Sequence, residues 1–404
     1  MARLWRAFSC APVRMAIIFL KGRRVARWDI FCSVVDNYGD IGVTWRLARQ
    51  LAAEQGHALR LWVDDLGAFV RLCPDASASV ESQHCSGVEV RQWREPFPLV
   101  EPAEVVIEAF ACQLPPSYID AMVASGSRRL WLNLEYLSAE DWVAGCHGLP
   151  SPQPGGLQKF FFFPGFVEGT GGLLREADLL AQRRAFQADV QAQRAFLQSL
   201  GVMRETGARL ISLFAYENAG LAGWLDALAA DAQSTQLLVP QGKILADLRL
   251  WLGGAPLVPG DQRRCGNLLI HVLPFVAQDD YDRLLWCCDF NAVRGEDSFI
   301  RAQWAGRPLL WHIYPQEEGA HWDKLEAFLA IYNAGLTPEV ATAQAELWRE
   351  WNAGEGMETA WPELLEVWPA VQRHTEQWCD DQAARPDLAM ALEQFYRNWL
   401  SYAA

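Results

Sequence analysis

The densest group of residues that could do chemistry lies in the segment DNYGDIG, residues 36–42. Asp36 and Asp40 supply two carboxylates four positions apart. Gly39 and Gly42 let the backbone approach a ligand closely or take a positive φ. The apolar run WDIFCSVV precedes the segment and a helical pattern follows it, which favours a ligand site between a buried strand and a helix N-terminus. Because short carboxylates also cap helices, capping alone is the alternative role for Asp36 and Asp40.

A second candidate segment is RGEDS, residues 294–298, which follows a predicted strand and precedes a predicted helix. Arg294 supplies a fixed positive charge, and the backbone N–H groups from Gly295 onward would point at a ligand. This combination suits an anion such as a diphosphate, to which Ser298 would add a hydroxyl group. The alternative is a capping box in which Asp297 or Ser298 is the N-cap. Neither segment has the spacing of a dinucleotide fingerprint or a P-loop, so the residues alone leave the ligand type open.

The elements that must position these segments alternate between strands and helices in two series. The first series has predicted strands near residues 28–35, 59–63, 88–90, 105–110, 130–134 and 160–163, and the second near 210–215, 236–239, 268–273, 290–293 and 309–313. Such alternation predicts mostly parallel sheets with helices on both faces. Residues 173–200 have a strongly helical pattern that would connect the two series, and residues 151–156 are expected to form a connection.

The chain length of 404 residues exceeds the size at which a single core stops growing, so two domains are expected. We predict an N-terminal extension at residues 1–27, an N-terminal domain at 28–175 completed by a C-terminal helix at 385–404, a linking helix at 176–204 and a C-terminal domain at 205–384. The extension is basic, but its apolar run at residues 15–20 is too short to span a membrane. We expect it to be partly disordered and to have no part in catalysis.

Composition excludes several classes of partner. The net charge of −14, with no long basic run beyond the extension, argues against binding to nucleic acid or to an anionic membrane. The ten cysteines contain no CxxC pair, so neither a zinc site nor a disulfide framework is indicated. We expect free thiols in a reducing cytoplasm.

Four ordered blocks of the sequence resemble one protein family. They are DNYGDIGVTWRLARQL at 36–51 with LRLWVDDL at 59–66, FAYEN at 214–218, LPFVAQDDYDRLL at 273–285, and VRGEDSFIRAQWAGRPLLWHIYPQEEGAHWDKLEAF at 293–328. The chain is identified as a member of the bacterial protein-arginine rhamnosyltransferases that modify translation elongation factor P. The resemblance extends from Trp28 to the C-terminus, so residues 1–27 look like an addition to the family pattern.

The resemblance implies an α/β fold of the GT-B glycosyltransferase type, with two Rossmann-like domains facing each other across a cleft. The implied reaction moves L-rhamnose from dTDP-β-L-rhamnose to an arginine guanidinium of elongation factor P with inversion, which activates the factor for ribosomes stalled at polyproline. Single displacement needs a base on the acceptor side and stabilisation of the leaving group. No DxD pair lies near the expected cleft, so we predict an enzyme without a metal or other cofactor.

The same resemblance implies roles for individual residues. Asp40 is the expected base, Asp36 orients the acceptor or Asp40, and Glu296 matches the family's second functional carboxylate, which binds the donor or helps the chemistry. The implied contacts to the nucleotide sugar are Asn37, Tyr38, Gly39, Tyr216, Phe275, Gln278, Arg294, Gly295, Asp297 and Ser298.

Aromatic residues at strand ends are more often core than ligand contacts, so Phe214 and Phe275 would otherwise be assigned to the core. The family match places Phe275 and Gln278 against the thymine and Tyr216 against the phosphates. His271 is expected in the core, whereas His312 and His321 could both lie near the donor.

Two alternative functions are retained. One is another metal-independent inverting GT-B transferase with a different nucleotide sugar or acceptor, which donor exchange would distinguish. The other is a catalytically silent nucleotide-sugar-binding protein. Such a protein is expected to lack the acidic residues, yet Asp36, Asp40 and Glu296 are all present.

Overall fold

The computed structural model describes residues 25–34 and 38–401. Asp36 and Asn37, and residues 1–24 of the predicted extension, lie outside the described residues. Ala26 is buried and the first strand begins at Arg27, close to the predicted start of the N-terminal domain at residue 28.

The strands of the described residues form two sheets, an eight-stranded one and a six-stranded one. The first contains β1 Arg27–Cys32, β2 Ala58–Val63, β3 Ser82–Cys85, β4 Val88–Gln92, β5 Val105–Ala109, β6 Leu130–Leu134, β7 Pro150–Pro152 and β8 Gln158–Phe162. The second contains β9 Arg209–Leu213, β10 Thr235–Pro240, β11 Gln262–Cys265, β12 Leu268–Leu273, β13 Phe290–Arg294 and β14 Leu309–His312.

Helices follow most of the parallel strands. They are α1 Gly39–Gln50, α2 Leu66–Leu72, α3 Pro116–Ala124, α4 Trp142–Cys146, α5 Leu179–Ala188, α6 Val190–Ser199, α7 Leu221–Ala230, α8 Leu245–Trp251, α9 Gln278–Cys287, α10 Asp297–Trp304, α11 Ala320–Tyr332, α12 Pro338–Ala353, α13 Met357–Glu366, α14 Trp368–Ala383 and α15 Leu388–Ser401. None of the helices in the described part of the chain has both the length and the apolar character needed to cross a membrane.

The strand order of each sheet defines where a ligand would bind. The first sheet has the order β3-β4-β2-β1-β5-β6-β8-β7, and the second has the order β11-β12-β10-β9-β13-β14. The edge strands β3 and β7 of the first sheet and β11 of the second pair antiparallel with their neighbours. All other pairs of neighbouring strands are parallel. The chain order reverses at β1, between β2 and β5, and at β9, between β10 and β13. Ligands of open α/β sheets bind at the carboxyl ends of the strands beside such switch points.

Two main cores support the sheets. We call the first sheet with its helices and α15 the N-terminal half, and the second sheet with its helices the C-terminal half. The amphipathic helix α15 returns to the first core, where Leu388, Leu392 and Tyr396 are buried with β1 and β2. His57 Nε2 also lies 2.7 Å from Glu393 Oε2 on this helix. The domain boundaries given above stay a prediction.

Two local predictions are wrong. The helix predicted over residues 173–200 is interrupted at Asp189, whose carboxylate accepts hydrogen bonds from Gln191 N and Ala192 N at 2.9 Å each and so caps α6. The connection predicted at residues 151–156 begins with the last two residues of the edge strand β7. The nine cysteines of the described part are free, as expected.

Candidate active site

A cleft of about 610 Å³, partly open to solvent, lies between the two halves at the carboxyl ends of the strands. The N-terminal half contributes residues next to α1 and α2, and the C-terminal half contributes the loops after β9, β10, β12 and β13. Nine of the predicted site residues line this cleft: Tyr38, Gly39, Phe275, Gln278, Arg294, Gly295, Glu296, Asp297 and Ser298. The two switch points therefore meet at the predicted residues, whose individual roles stay predictions.

The glycine turn starts α1 at the edge of the cleft. Gly39 is the first residue of this helix, and no described side chain caps it. Asp40 lies in the first helical turn, with only 5% of its surface exposed, so it is not the N-cap that the alternative interpretation required. The role of Asp36 is untested, because it lies outside the described residues.

Glu296 is the most perturbed carboxyl group of the cleft. Its Oε2 accepts a hydrogen bond from Leu137 N at 2.9 Å, across the two halves, and its Oε1 has no hydrogen-bond partner among the described residues. Burial, opposed by the hydrogen bond from Leu137 and assisted by the neighbouring charge of Asp40, raises the pKa of Glu296 to about 8. Near neutral pH the site therefore holds a largely protonated Glu296 close to Asp40.

Arg294 supplies the positive charge of the cleft. Its guanidinium group lies 4.6 Å from the ring centres of both Phe214 and Tyr216, and it is 6% exposed. Its Nη1 has no hydrogen-bond partner in the described part of the chain. The two aromatic rings hold the guanidinium group in place while leaving a donor available for an anion.

The capping-box interpretation of the turn after β13 is wrong, and the anion site predicted there stays a prediction. The N-cap position of α10 is Glu296, and no described side chain caps the helix. The Ser298 hydroxyl group donates to Arg294 O and accepts from Arg294 N, so it closes the turn instead. The first backbone N–H groups of α10 therefore have no side-chain cap, and residues 295–298 line the cleft.

Gln278 and Asp297 connect the two halves as well as lining the cleft. Gln278 Nε2 donates to Gly42 O at 2.9 Å and to Asp297 Oδ2 at 3.2 Å. Asp297 Oδ1 accepts from Arg46 Nε at 3.0 Å. Their side chains therefore have partners at the base of the cleft before any ligand binds.

Aromatic side chains form the opposite wall. The rings of Tyr38 and Phe275 are 5.1 Å apart, and the Arg71 guanidinium group lies 5.2 Å from the Phe275 ring. Phe275 thus stands between the two halves, and its position is compatible with stacking on a base. Tyr216 is buried behind Arg294 rather than in the cleft lining.

The histidines behave as the sequence indicated. His271 is buried in β12, where its Nε2 lies 3.0 Å from Gln236 Nε2. The His312 ring packs 5.2 Å from Tyr216, next to the donor side of the cleft. Burial and the charge of Arg294 lower the pKa of His312 to about 3, so it is neutral. Among residues 25–34 and 38–401, no three His, Cys, Asp or Glu side chains gather closely enough to hold a metal ion.

Sequence reasoning missed several cleft residues. Phe214, assigned to the core, lines the cleft, as do Leu72, Pro240, Val276 and Tyr281. Tyr281 lies one helical turn after Gln278, so helical spacing could have indicated it. No local pattern indicates the others, because they come together only when the two halves meet.

Two parallel-stranded sheets with their switch points on a shared cleft have the architecture of the GT-B glycosyltransferases. A family model described as Elongation-Factor P (EF-P) rhamnosyltransferase EarP matches residues 28–397. The chain belongs to this family, and it is an enzyme that transfers a sugar from a nucleotide-sugar donor. The resemblance stated from the sequence is therefore confirmed.

Similar proteins agree with this assignment. The protein-arginine rhamnosyltransferase of Pseudomonas putida is 63% identical over 375 residues, which cover 93% of this chain and 100% of that protein. Its counterpart from Pseudomonas aeruginosa is 60% identical over 376 residues, with the same coverage.

Solved structures give the same result. The structure described as the basis for EarP-mediated arginine glycosylation of translation elongation factor EF-P is 49% identical, with a TM-score of 0.68 over 92% of this chain and 99% of that one. A UDP-glucosyltransferase from Polygonum tinctorium, 12% identical, shares the fold, with a TM-score of 0.53 over 93% of this chain and 99% of its own.

Proposed function

We propose that this enzyme transfers L-rhamnose from dTDP-β-L-rhamnose to an arginine guanidinium nitrogen of translation elongation factor P, with inversion at the anomeric carbon. Family membership and the protein-arginine rhamnosyltransferases that match most of the chain support the sugar and the acceptor. The observation that carries the proposal is that Glu296 lines the cleft with Arg294 and the N-terminus of α10, while Asp40 of the other half, which is not in the cleft lining, is close enough for its charge to raise the pKa of Glu296. Because the acceptor is a translation factor, we place the enzyme in the cytoplasm.

The donor would bind to the C-terminal half. Its diphosphate would accept hydrogen bonds from Arg294 and from the backbone N–H groups of Gly295, Asp297 and Ser298. These groups match developing negative charge on the leaving dTDP without a metal ion, so we propose a metal-independent reaction. Phe275 would stack on the thymine, with Tyr38 and Gly39 on the other side of the cleft.

Some residues assigned to the donor would act on it indirectly or with only part of their side chain. Tyr216 would hold Arg294 in place for the phosphates, since their groups are 4.6 Å apart. Gln278 is engaged at both ends, because its amide nitrogen donates to Gly42 and Asp297 and its carbonyl oxygen accepts from Arg49 Nη2 at 3.3 Å, so it would meet the base through the remaining lone pair of that oxygen. Asn37 remains a proposed donor contact on the strength of the resemblance alone.

The acceptor chemistry would take place between Asp40 and the anomeric carbon. A guanidinium ion has no free lone pair and a pKa above roughly 12, so it needs a carboxylate to take its proton as the new bond forms. Asp40 would accept that proton while the C–N bond forms, the C–O bond to the phosphate breaks and its electron pair leaves with dTDP. Asp36 would orient the acceptor.

Glu296 would act as a neutral hydrogen-bond donor, in contrast to the ionised Asp40. With a pKa of about 8 it is largely protonated near pH 7, so it can donate a hydrogen bond from Oε1 into the cleft. A neutral acid beside an ionised one is a common way to divide two roles between neighbouring carboxyl groups. We also propose that residues 28–175 with 385–404 form the acceptor domain and residues 205–384 the donor domain.

Intact-mass analysis tests the proposal. Elongation factor P incubated with the enzyme and dTDP-β-L-rhamnose should gain one deoxyhexose, with or without a chelator such as EDTA. Asp40→Asn keeps the shape of the side chain but loses the base, so we expect a loss of at least 100-fold in rate. Asp226→Asn, an exposed residue of α7 that binds Trp251 Nε1, is the matched control and should transfer normally.

Other outcomes separate the alternatives. Transfer only from a different nucleotide sugar would replace the proposed donor. Full activity of Asp40→Asn would exclude Asp40 as the base. Binding of the donor without any transfer would favour the catalytically silent protein.

A further inference from the structure

Arg46 joins the two halves directly beneath the cleft. It lies on α1 of the N-terminal half, yet its Nε donates to Asp297 Oδ1 at 3.0 Å, and its Nη1 and Nη2 donate to the two oxygens of Asp282 at 3.1 and 3.2 Å. Nη2 also donates to Gln278 O at 3.0 Å. The Arg46 side chain is only 1% exposed, and these partners all belong to α9 and α10 of the C-terminal half.

Two further residues complete a buried charge cluster, defined as Arg46, Glu176, Asp282, Asp297 and Arg301. Arg301 binds both oxygens of Asp282, at 2.9 and 2.6 Å, and Glu176 Oε2 at 2.6 Å. Although burial opposes ionisation, the charges of Arg301 and Arg46 lower the pKa of Glu176 to about 2. Each charge therefore has a partner, which is the condition under which buried ions are tolerated.

The backbones of α1 and α10 also come close at this point. A Cβ atom added to Gly42 would lie 3.2 Å from Asp297 Oδ2, which is tighter than an ordinary contact. Gly42 O accepts the 2.9 Å hydrogen bond from Gln278 Nε2. Only glycine permits this approach without moving Asp297, so the close contact between α1 and α10 depends on glycine at position 42.

The buried charge cluster is connected to both sides of the proposed chemistry. Asp40 lies six residues before Arg46 on the same helix, and Glu296 directly precedes Asp297. If the halves separated or slid, the buried Arg46 side chain would lose Asp282 and Asp297, and Asp282 would lose one of its two arginine partners. That loss costs several kcal/mol for a buried ion, so the cluster favours one relative arrangement of the two helices.

We propose that Arg46 is a positioning residue, which fixes the start of α1 with Asp40 against the start of α10 with Glu296 so that acceptor and donor meet in line. This inference rests on the roles given above to Asp40 and Glu296. Arg46 itself would touch neither substrate.

Replacement of Arg46 by lysine tests this role. Lysine keeps the charge but cannot bind Asp282 with two parallel bonds while reaching Asp297. Since displacements of about 1 Å can cost about 100-fold in rate, we expect Arg46→Lys to lower kcat for transfer by about 10- to 100-fold. The Kd for dTDP, measured by calorimetry, should change by less than about threefold, because Arg46 binds the Asp297 carboxylate and the Gln278 backbone oxygen, whereas the nucleotide contacts proposed for these residues are the Asp297 backbone N–H and the Gln278 side chain.

Arg301→Lys is the matched control. It removes a bidentate contact to Asp282, as Arg46→Lys does. Unlike the contact of Arg46, this one lies within the C-terminal half, to which both Arg301 and Asp282 belong. We expect it to lower Tm about as much as Arg46→Lys does, with a much smaller effect on kcat. Equal losses of kcat in the two variants, or an unchanged kcat in Arg46→Lys, would overturn the proposal.

Gly42→Ala provides a variant that keeps every charge. Alanine is favoured over glycine within a helix, so Tm should not fall through helix propensity, but its Cβ would push on Asp297. A fall in kcat at unchanged Tm supports the proposal even if Arg46→Lys does not fold, and an unchanged kcat contradicts it. Wild-type enzyme without any rhamnose transfer would instead overturn the proposed function itself.

Discussion

Glu296 combines burial with a pKa near the physiological range. The side chain bonds to Leu137 N through one oxygen and leaves the other without a partner in the described residues. Desolvation of the charged form costs free energy, so the folded protein keeps this carboxyl group protonated up to about pH 8. In the unfolded chain the same group ionises near its ordinary pKa of 4.5.

Glu296 should therefore make the protein less stable as the pH rises from about 4.5 to 8, because only the unfolded state gains from ionisation in that range. Glu296→Gln removes this effect and can still accept the hydrogen bond from Leu137. We expect the variant to melt several degrees above the wild type at pH 8 and at about the same temperature near pH 4.5. Thermal unfolding followed by circular dichroism at both pH values measures this.

Glu326→Gln is the control for that experiment. The hydrogen bond and charge of Arg349 lower the pKa of Glu326, so its contribution to stability has the opposite sign and is present at neutral pH. A higher Tm at pH 8 for both variants would indicate a general effect of charge removal and not the burial of Glu296.

At the scale of elements, three helices begin at the cleft without a side-chain cap from the described residues. They are α1, α9 and α10. Most other described helices also begin without a side-chain cap, whereas Asp65 caps α2 and Asp189 caps α6. The open N-termini at the cleft thus leave backbone N–H groups for an anionic ligand.

The Asp189 cap gives a prediction for the connection between the halves. Asp189→Ala removes two hydrogen bonds to the start of α6, so it should lower the free energy of unfolding by about 1 kcal/mol, measured by urea denaturation. Rhamnose transfer below the transition should be unchanged, because no residue of α6 lines the cleft. Asp178→Ala is the matched control, since Asp178 occupies the same position before α5 without capping it. Similar losses in both variants would contradict the capping role.

The sequence predicts those elements whose pattern is local. The strand expected at residues 268–273 has the bounds of β12, because a fully buried parallel strand is a continuous apolar run. The edge strands β3 and β11 have the sequences SQHC and QRRC, which carry no such pattern, and they were not predicted. The break at residue 189 was missed because the flanking residues all favour helix.

In the candidate site, too, the sequence predicts what has a local pattern and misses what depends on distant residues. The turns at residues 36–42 and 294–298 have local signatures of strand, glycine and helix, so the sequence could locate them. The partners of Arg46 could not be found in this way. Asp282 is 236 residues away, and ion pairs between separate sheets leave no spacing in the sequence.

At the scale of the whole molecule, the return of α15 makes the N-terminal half depend on a distant part of the chain. Leu392 is fully buried in the core of that half. Leu392→Ala should lower the free energy of unfolding by about 2–5 kcal/mol and lower Tm accordingly. The Kd of the folded protein for dTDP should be unchanged, because the proposed nucleotide contacts lie mainly in the C-terminal half.

Met390→Ala tests the specificity of that effect. Met390 lies on the same helix but is 53% exposed, so its truncation should change Tm by little. Equal destabilisation by the two substitutions would show that α15 contributes through its helix alone and not through the buried face.

The path of the chain through α15 also governs how the protein can be made. β1 and α1 leave the ribosome early, but Leu388 and Leu392, which complete their core, are synthesised more than 200 residues after β8 ends at Phe162. At the usual rate of about 5–20 residues per second, that interval is on the order of ten to forty seconds. Throughout it, part of the apolar surface of the first sheet is uncovered. The two halves therefore cannot mature one after the other during translation, and the N-terminal half reaches its native state only after the C-terminal half has been synthesised.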